Sequence, residues 1–113
     1  MEGRAITPEI EQALRRILAQ KAAVANLESQ KEARDGDQDK IFDDQQRLRE
    51  NMKSLKGSAE EKALLQRYTQ QLNAQETRLE ELRKALDQLD EEISKAQVAL
   101  DQMIESLVFD VKL

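Results

Sequence analysis

Three groups of residues in this chain have the composition of chemical sites. Asp35-Gly36-Asp37-Gln38-Asp39 alternates acid and spacer as a calcium loop does. Asp43-Asp44 and Glu60-Glu61 are adjacent carboxylates of the kind that share acid–base work. None survives a check of spacing. In an EF-hand loop opening at Asp35, Lys40 stands where the turn needs glycine and Gln46 where the bidentate Glu belongs. Neighbouring carboxylates on a helix point in different directions and do not converge on one atom. The chain has no His and no Cys, which removes the usual proton shuttle, the thiol nucleophiles and the common zinc ligands. The sequence therefore predicts no enzyme, no cofactor and no metal site.

What remains is pattern. The 113 residues are 36% charged and 3% aromatic, with one Pro and three Gly. That is the composition of long solvated helices rather than of a compact core. The formal net charge is −5, and basic and acidic residues are interspersed without a basic block, which argues against nucleic-acid binding. No apolar run approaches the roughly 20 residues that a membrane span needs, so membrane insertion is not expected.

The strongest periodicity lies between Leu65 and Leu107. Leu65, Tyr68, Leu72, Gln75, Leu79, Leu82, Leu86, Leu89, Ile93, Ala96, Leu100, Met103 and Leu107 alternate steps of three and four without a slip. Such a stripe must be covered by another helix. A second seam precedes it: Ile10, Ala13, Ile17, Gln20, Val24, Leu27, Lys31, Arg34, Gln38, Ile41, Gln45, Leu48, Met52 and Leu55. Its polar defects cluster between Lys31 and Gln38. A break there, giving three helices, is one reading. The seam resumes in phase at Ile41, and a helical Gly costs only about 1 kcal/mol relative to Ala, so the spacing favours one continuous helix.

Punctuation sets the ends. Thr7-Pro8-Glu9 reads as N-cap, first helical residue and first-turn acid. Lys56-Gly57-Ser58 is a turn, and Ser58 with Glu61 fits a capping box. The fold expected is all-α: two long helices in an antiparallel coiled-coil hairpin, as one domain. Helix one covers 8–55, the turn 56–58 and helix two 59–107, with short extended segments at both chain ends. The lead-in Gly3 to Ile6 and the alternating tail Leu107-Val108-Phe109-Asp110-Val111-Lys112-Leu113 read as strands, able to pair side by side or to belong to a sheet of a larger protein.

The turn sets a register in which facing residues have numbers summing to about 113 by the hairpin geometry. That places Leu48 by Leu65, Ile17 by Ala96, and Gln38 opposite Gln75 as a self-satisfying amide layer. It also places Gln45 opposite the Tyr68 hydroxyl. Asp37 with Arg78, Glu28 with Arg83 and Lys21 with Asp90 match in charge across the flanks.

Asp44-Gln45-Gln46-Arg47-Leu48-Arg49-Glu50-Asn51, Leu65-Gln66-Arg67-Tyr68, Leu72, Gln75-Glu76 before Leu79, and the ending Ile104-Glu105-Ser106-Leu107-Val108-Phe109-Asp110 together resemble a known family. It is the C-terminal region of proteins classed as domain of unknown function 4139, the mucoidy-inhibitor-A-like bacterial proteins. The resemblance covers roughly residues 8–113. It implies a helical stalk on a β-rich body in a larger bacterial protein, one that could be exported, and it brings no activity and no catalytic residues.

Two surfaces remain as candidates for function. Arg47, Arg49, Asn51, Arg67 and Glu76 could form a polar recognition patch near the turn. Leu14, Leu18, Ala22, Ala23 and Ala25 lie outside the first seam, and Leu14 falls near Ile104. With the tail residues Val108, Phe109, Val111 and Leu113 they widen the apolar surface beyond what one partner helix covers. A homo-oligomer, as a dimer, or the β-rich body of the parent protein is the partner expected there.

Overall fold

The computed structural model describes residues 6–112, with side chains as far as Asp110. It contains two helices, α1 (Pro8–Lys53) and α2 (Ala59–Lys112), paired antiparallel as a helical hairpin. There is no strand among the described residues.

The start of α1 is set by its cap. The Thr7 hydroxyl accepts the Ile10 amide at 3.1 Å, and the Thr7 carbonyl accepts Glu11 N–H at 2.9 Å. Pro8 takes the first helical position, where no amide is missed. Past that point α1 is unbroken, including Asp35 to Asp39. Gly36 has helical backbone, and a Cβ built on it meets nothing within 4 Å. The weak stretch is thus a continuous helix, as the in-phase seam implies.

α1 stops two residues earlier than its seam suggests. Ser54 and Leu55 donate to the carbonyls of Asn51 and Met52 in tight three-residue turns. Gly57 then takes φ +97°, a conformation open to glycine without steric penalty. The capping box forms as expected. Ser58 Oγ accepts the Glu61 amide at 3.1 Å, and Glu61 Oε1 accepts the Ser58 amide at 3.0 Å. The other Glu61 oxygen accepts the Lys56 amide at 2.9 Å, so one carboxylate holds both sides of the turn. These bonds hold its pKa below the ordinary value: the Ser58 backbone amide first, then that of Lys56, then the Ser58 hydroxyl.

The far end corrects the sequence reading. Val108 to Lys112 continue α2 rather than forming an extended tail. The alternation is real in the sequence, but an unpaired strand leaves its amides and carbonyls without partners, whereas helix continuation satisfies them within the segment. Helical geometry redistributes the face: Phe109 turns outward at 66% exposure while Ile104 and Val108 fall on one flank. Gly3 to Ala5, the Val111 side chain and Leu113, also part of the proposed strands, lie outside the described residues. Ile6 and Thr7 are not helical.

The hairpin divides into two units. The terminal unit pairs residues 1–31 with 89–113 and the turn unit comprises residues 32–88. In the terminal unit the core is Ile17, Val24 and Leu100, with Ala96, Met103 and Leu107 packed on it. Ile17 and Ala96 thus share one cluster, as expected. In the turn unit Leu48 and Leu82 are fully buried, as is Gln45. Every seam position of α1 is buried or half-buried. The α2 seam holds except at its first position, where Leu64 is half-buried and Leu65 is 39% exposed.

Candidate functional site

Two features in the hairpin go beyond simple burial. The first is a polar crossing in the turn unit. Gln75 Nε2 donates to Asp44 Oδ2 at 2.6 Å, and Gln45 Nε2 donates to Glu76 Oε1 at 2.9 Å. Adjacent residues on each helix thus make two adjacent bonds, each between an amide and a carboxylate. Arg47 clamps the other Asp44 oxygen at 2.9 Å. The Arg47 bond first, then the Gln75 bond, holds the Asp44 pKa below the ordinary value against the desolvation that raises it. Gln75 Oε1 is buried without a hydrogen-bond partner.

This arrangement corrects the expected pairing. Gln75 bonds Asp44 and not Gln38, and Gln45 bonds Glu76 and not Tyr68; Gln38 and Tyr68 are both half-buried on the seam. The flanking ion pairs also differ. Arg78 pairs with Glu81, Arg83 with Glu80 and Asp37 with Arg34, each three residues away on its own helix. Asp90 pairs with Lys31 at 2.6 Å rather than with Lys21.

One physical cause accounts for the direction of these shifts. Side chains on a helix lean toward its N-terminus. In an antiparallel pair the two leans oppose, so long side chains meet when both residues lie further along their chains than level positions do. Gln20, which donates to the Ala96 carbonyl at 2.9 Å, shows the same offset. Asp44 is the residue of the polar crossing that the seam pattern missed, because it lies beside the stripe. Its signal was the reciprocal dipeptides Asp44-Gln45 and Gln75-Glu76.

The proposed polar patch is distributed differently. Arg47 is bound to Asp44, and Glu76 to Gln45. The Asn51 carbonyl accepts both the amide and the hydroxyl of Ser54. Arg49 and Arg67 are exposed. The five residues do not converge on one point.

The second feature is an apolar flank in the terminal unit. Leu14 and Leu18 each follow a seam residue of α1, and Ile104 and Val108 each follow a seam residue of α2. A step of one residue rotates about 100° around a helix, so all four project to the same hand of their seam. In an antiparallel pair those flanks lie side by side. On the opposite flank Ala13 and Arg16 line a shallow groove with Ala99, Ser106 and Asp110. Leu14 is 38% exposed, Leu18 64%, Ile104 40% and Val108 51%.

Among the described residues no group of three or more acidic side chains is placed to hold a metal ion. Neither helix is long and apolar enough over the described residues to cross a membrane. No family model matches the chain, and comparison with curated proteins and with solved structures yields no match.

Proposed function

We propose that this chain is a non-catalytic structural hairpin that serves as an oligomerisation element and as the stalk of a larger bacterial protein of the kind it resembles. The observation that carries this reading is the apolar flank of Leu14, Leu18, Ile104 and Val108. Four large aliphatic side chains stand exposed beside a seam that is already covered, and a contiguous patch of this kind marks an interaction surface. Ile6, Phe42, Leu65, Val98 and Phe109 are exposed as well, but they are spread over the hairpin among charged and polar residues. A polar recognition module using Arg47, Arg49, Asn51, Arg67 and Glu76 is the alternative. It has less support, because Arg47 and Glu76 already hold partners within the hairpin.

Sedimentation equilibrium tests the reading. The parent chain should run as a dimer, and Leu14→Glu combined with Leu18→Glu should run as a monomer with its helical signal retained. A parent chain that stays monomeric at millimolar concentration assigns that flank to something other than self-association.

A further inference from the structure

We infer that the second copy docks on the apolar flank about a two-fold axis parallel to the helices, so that α1 of each copy lies against α2 of the other in a four-helix bundle. This rests on the self-association reading above and adds the partner's orientation. The argument is one of charge. Between Pro8 and Lys31, four basic residues face three acids; between Leu89 and Lys112, six acids face two bases. The flank repeats this polarity in weaker form: Arg15 and Lys21 border Leu14 and Leu18 on α1, with Glu11 on the same flank and paired with Arg15 at 2.7 Å, while Asp101 and Glu105 border Ile104 and Val108 on α2.

A two-fold axis along the helices preserves axial level. Each α1 then meets the other copy's α2 in the same antiparallel register that α1 and α2 have within one copy. That register already carries a cross-helix ion pair, Lys31–Asp90. Lys21 lies ten residues before Lys31 and Asp101 eleven after Asp90; Arg15 lies sixteen before and Glu105 fifteen after. Both combinations keep the offset of the observed pair to within one residue. Between copies, Lys21 meets Asp101, and Arg15, held by Glu11 on its own helix, lies level with Glu105 and bridges the two carboxylates, with Leu14, Leu18, Ile104 and Val108 enclosed between them. The competing arrangement, a two-fold axis across the helices, sets α1 on α1 and α2 on α2. It opposes Arg15 and Lys21 to their own copies and Asp101 and Glu105 to theirs, and like charges placed opposite one another disfavour pairing.

The chain contains no cysteine, so single cysteines report the orientation directly. Ala22 and Val98 are exposed at the outer edge of this flank, on α1 and α2 respectively. Ala22→Cys and Val98→Cys chains, mixed and treated with a short bismaleimide, should give a crosslinked dimer in several-fold greater yield than either variant alone. A dimer by sedimentation that crosslinks mainly Ala22→Cys to itself or Val98→Cys to itself, or that gives no mixed product, overturns the orientation and leaves self-association standing. A chain that sediments as a monomer overturns both. As a second readout, Arg15→Glu with Lys21→Glu should weaken the dimer at least tenfold, and adding Asp101→Lys with Glu105→Lys should restore it. Failure of the second pair to restore association also overturns the charge-matched geometry.

Discussion

The terminal and turn units are built from the same two helices and are specified by different physics. In the terminal unit the seam is aliphatic, and Ile17, Val24 and Leu100 form a continuous cluster. Its surplus apolar surface faces outward. In the turn unit the buried Leu48 and Leu82 are accompanied by a buried amide, Gln45, and by two carboxylate–amide bonds across the seam. A seam of aliphatic side chains is sticky but tolerant, because Leu accepts many neighbours. A seam interrupted by hydrogen bonds is selective, since a slip strands a buried donor. On the proposed reading the labour is divided: the turn unit, with its cap and polar crossing, would fix alignment, and the terminal unit would offer the surface for association.

The largest expected effect tests whether burial or exposure governs each side chain. Leu48 has no exposed surface, and its replacement by Ala should destabilise the hairpin by about 2–5 kcal/mol, toward the lower end because a two-helix seam can collapse on the gap. Leu18, at 64% exposure, is the control. As a monomer, Leu18→Ala should change stability by no more than about 0.5 kcal/mol. Urea melts of both variants, measured below the concentration at which the chain associates, decide it. Equal losses would mean that the exposed flank is part of the monomer's core.

Much of this distinction is written in the sequence, and the parts that are not have identifiable causes. The seam positions follow from steps of three and four, and the turn follows from Gly57 and the Ser58–Glu61 box. Both describe local backbone and facing surface, which sequence spacing encodes directly. Cross-helix bonds depend also on side-chain length and lean, so Gln75 reaches Asp44 where a level register paired it with Gln38. The tail misleads for another reason. Alternation from Leu107 to Leu113 reads as strand, yet a strand needs a neighbour and a helix does not, and Val108 to Lys112 remain helical. The site that association would use is half legible: Leu14 and Leu18 stand out as apolar residues off the seam, but Val108 joins Ile104 on that flank only once the helix continues.

The next effect sharpens the claim that the turn unit selects register. Gln45 is 2% exposed and bonded to Glu76. Gln45→Leu replaces a buried amide by an aliphatic side chain of similar size and frees a carboxylate that can reach solvent. It should leave stability unchanged or raise it by about 1 kcal/mol, while distances between spin labels on the two helices broaden. A narrow, unchanged distance distribution would remove Gln45 from the alignment role. A smaller gain is expected at Gly36, which is helical and has room for a methyl group. Gly36→Ala should raise the melting temperature, with a stability gain of up to about 1 kcal/mol. A loss there would mean that the polar centre of α1 requires a backbone distortion only glycine permits.

The smallest effect is acid sensitivity, and it belongs to the turn unit through Asp44. Hydrogen bonds from Arg47 and Gln75 hold this carboxyl below its ordinary pKa of 3.8. Between the depressed and the ordinary value the unfolded chain binds more protons than the folded one, so lowering the pH favours unfolding. The stabilisation is therefore complete above the ordinary value and is lost as the pH falls through the depressed one. Glu61 at the turn carries a shift of the same sign, so the unmodified chain sums at least two groups, and Asp44→Asn separates them. Asn at 44 keeps an oxygen for the Gln75 amide but carries no charge for Arg47 and does not titrate. Its stability should lie below that of the parent at neutral pH, and the gap should narrow as the pH drops below 4. The Asp44 side chain is 40% exposed, and solvent screening keeps the gap small, so differential melts at matched pH are the appropriate measurement. A gap that stays constant from neutral pH to pH 2 would mean that Asp44 acts through shape alone. The polar crossing would then owe its selectivity to the amides of Gln45 and Gln75 and not to the carboxylate opposite.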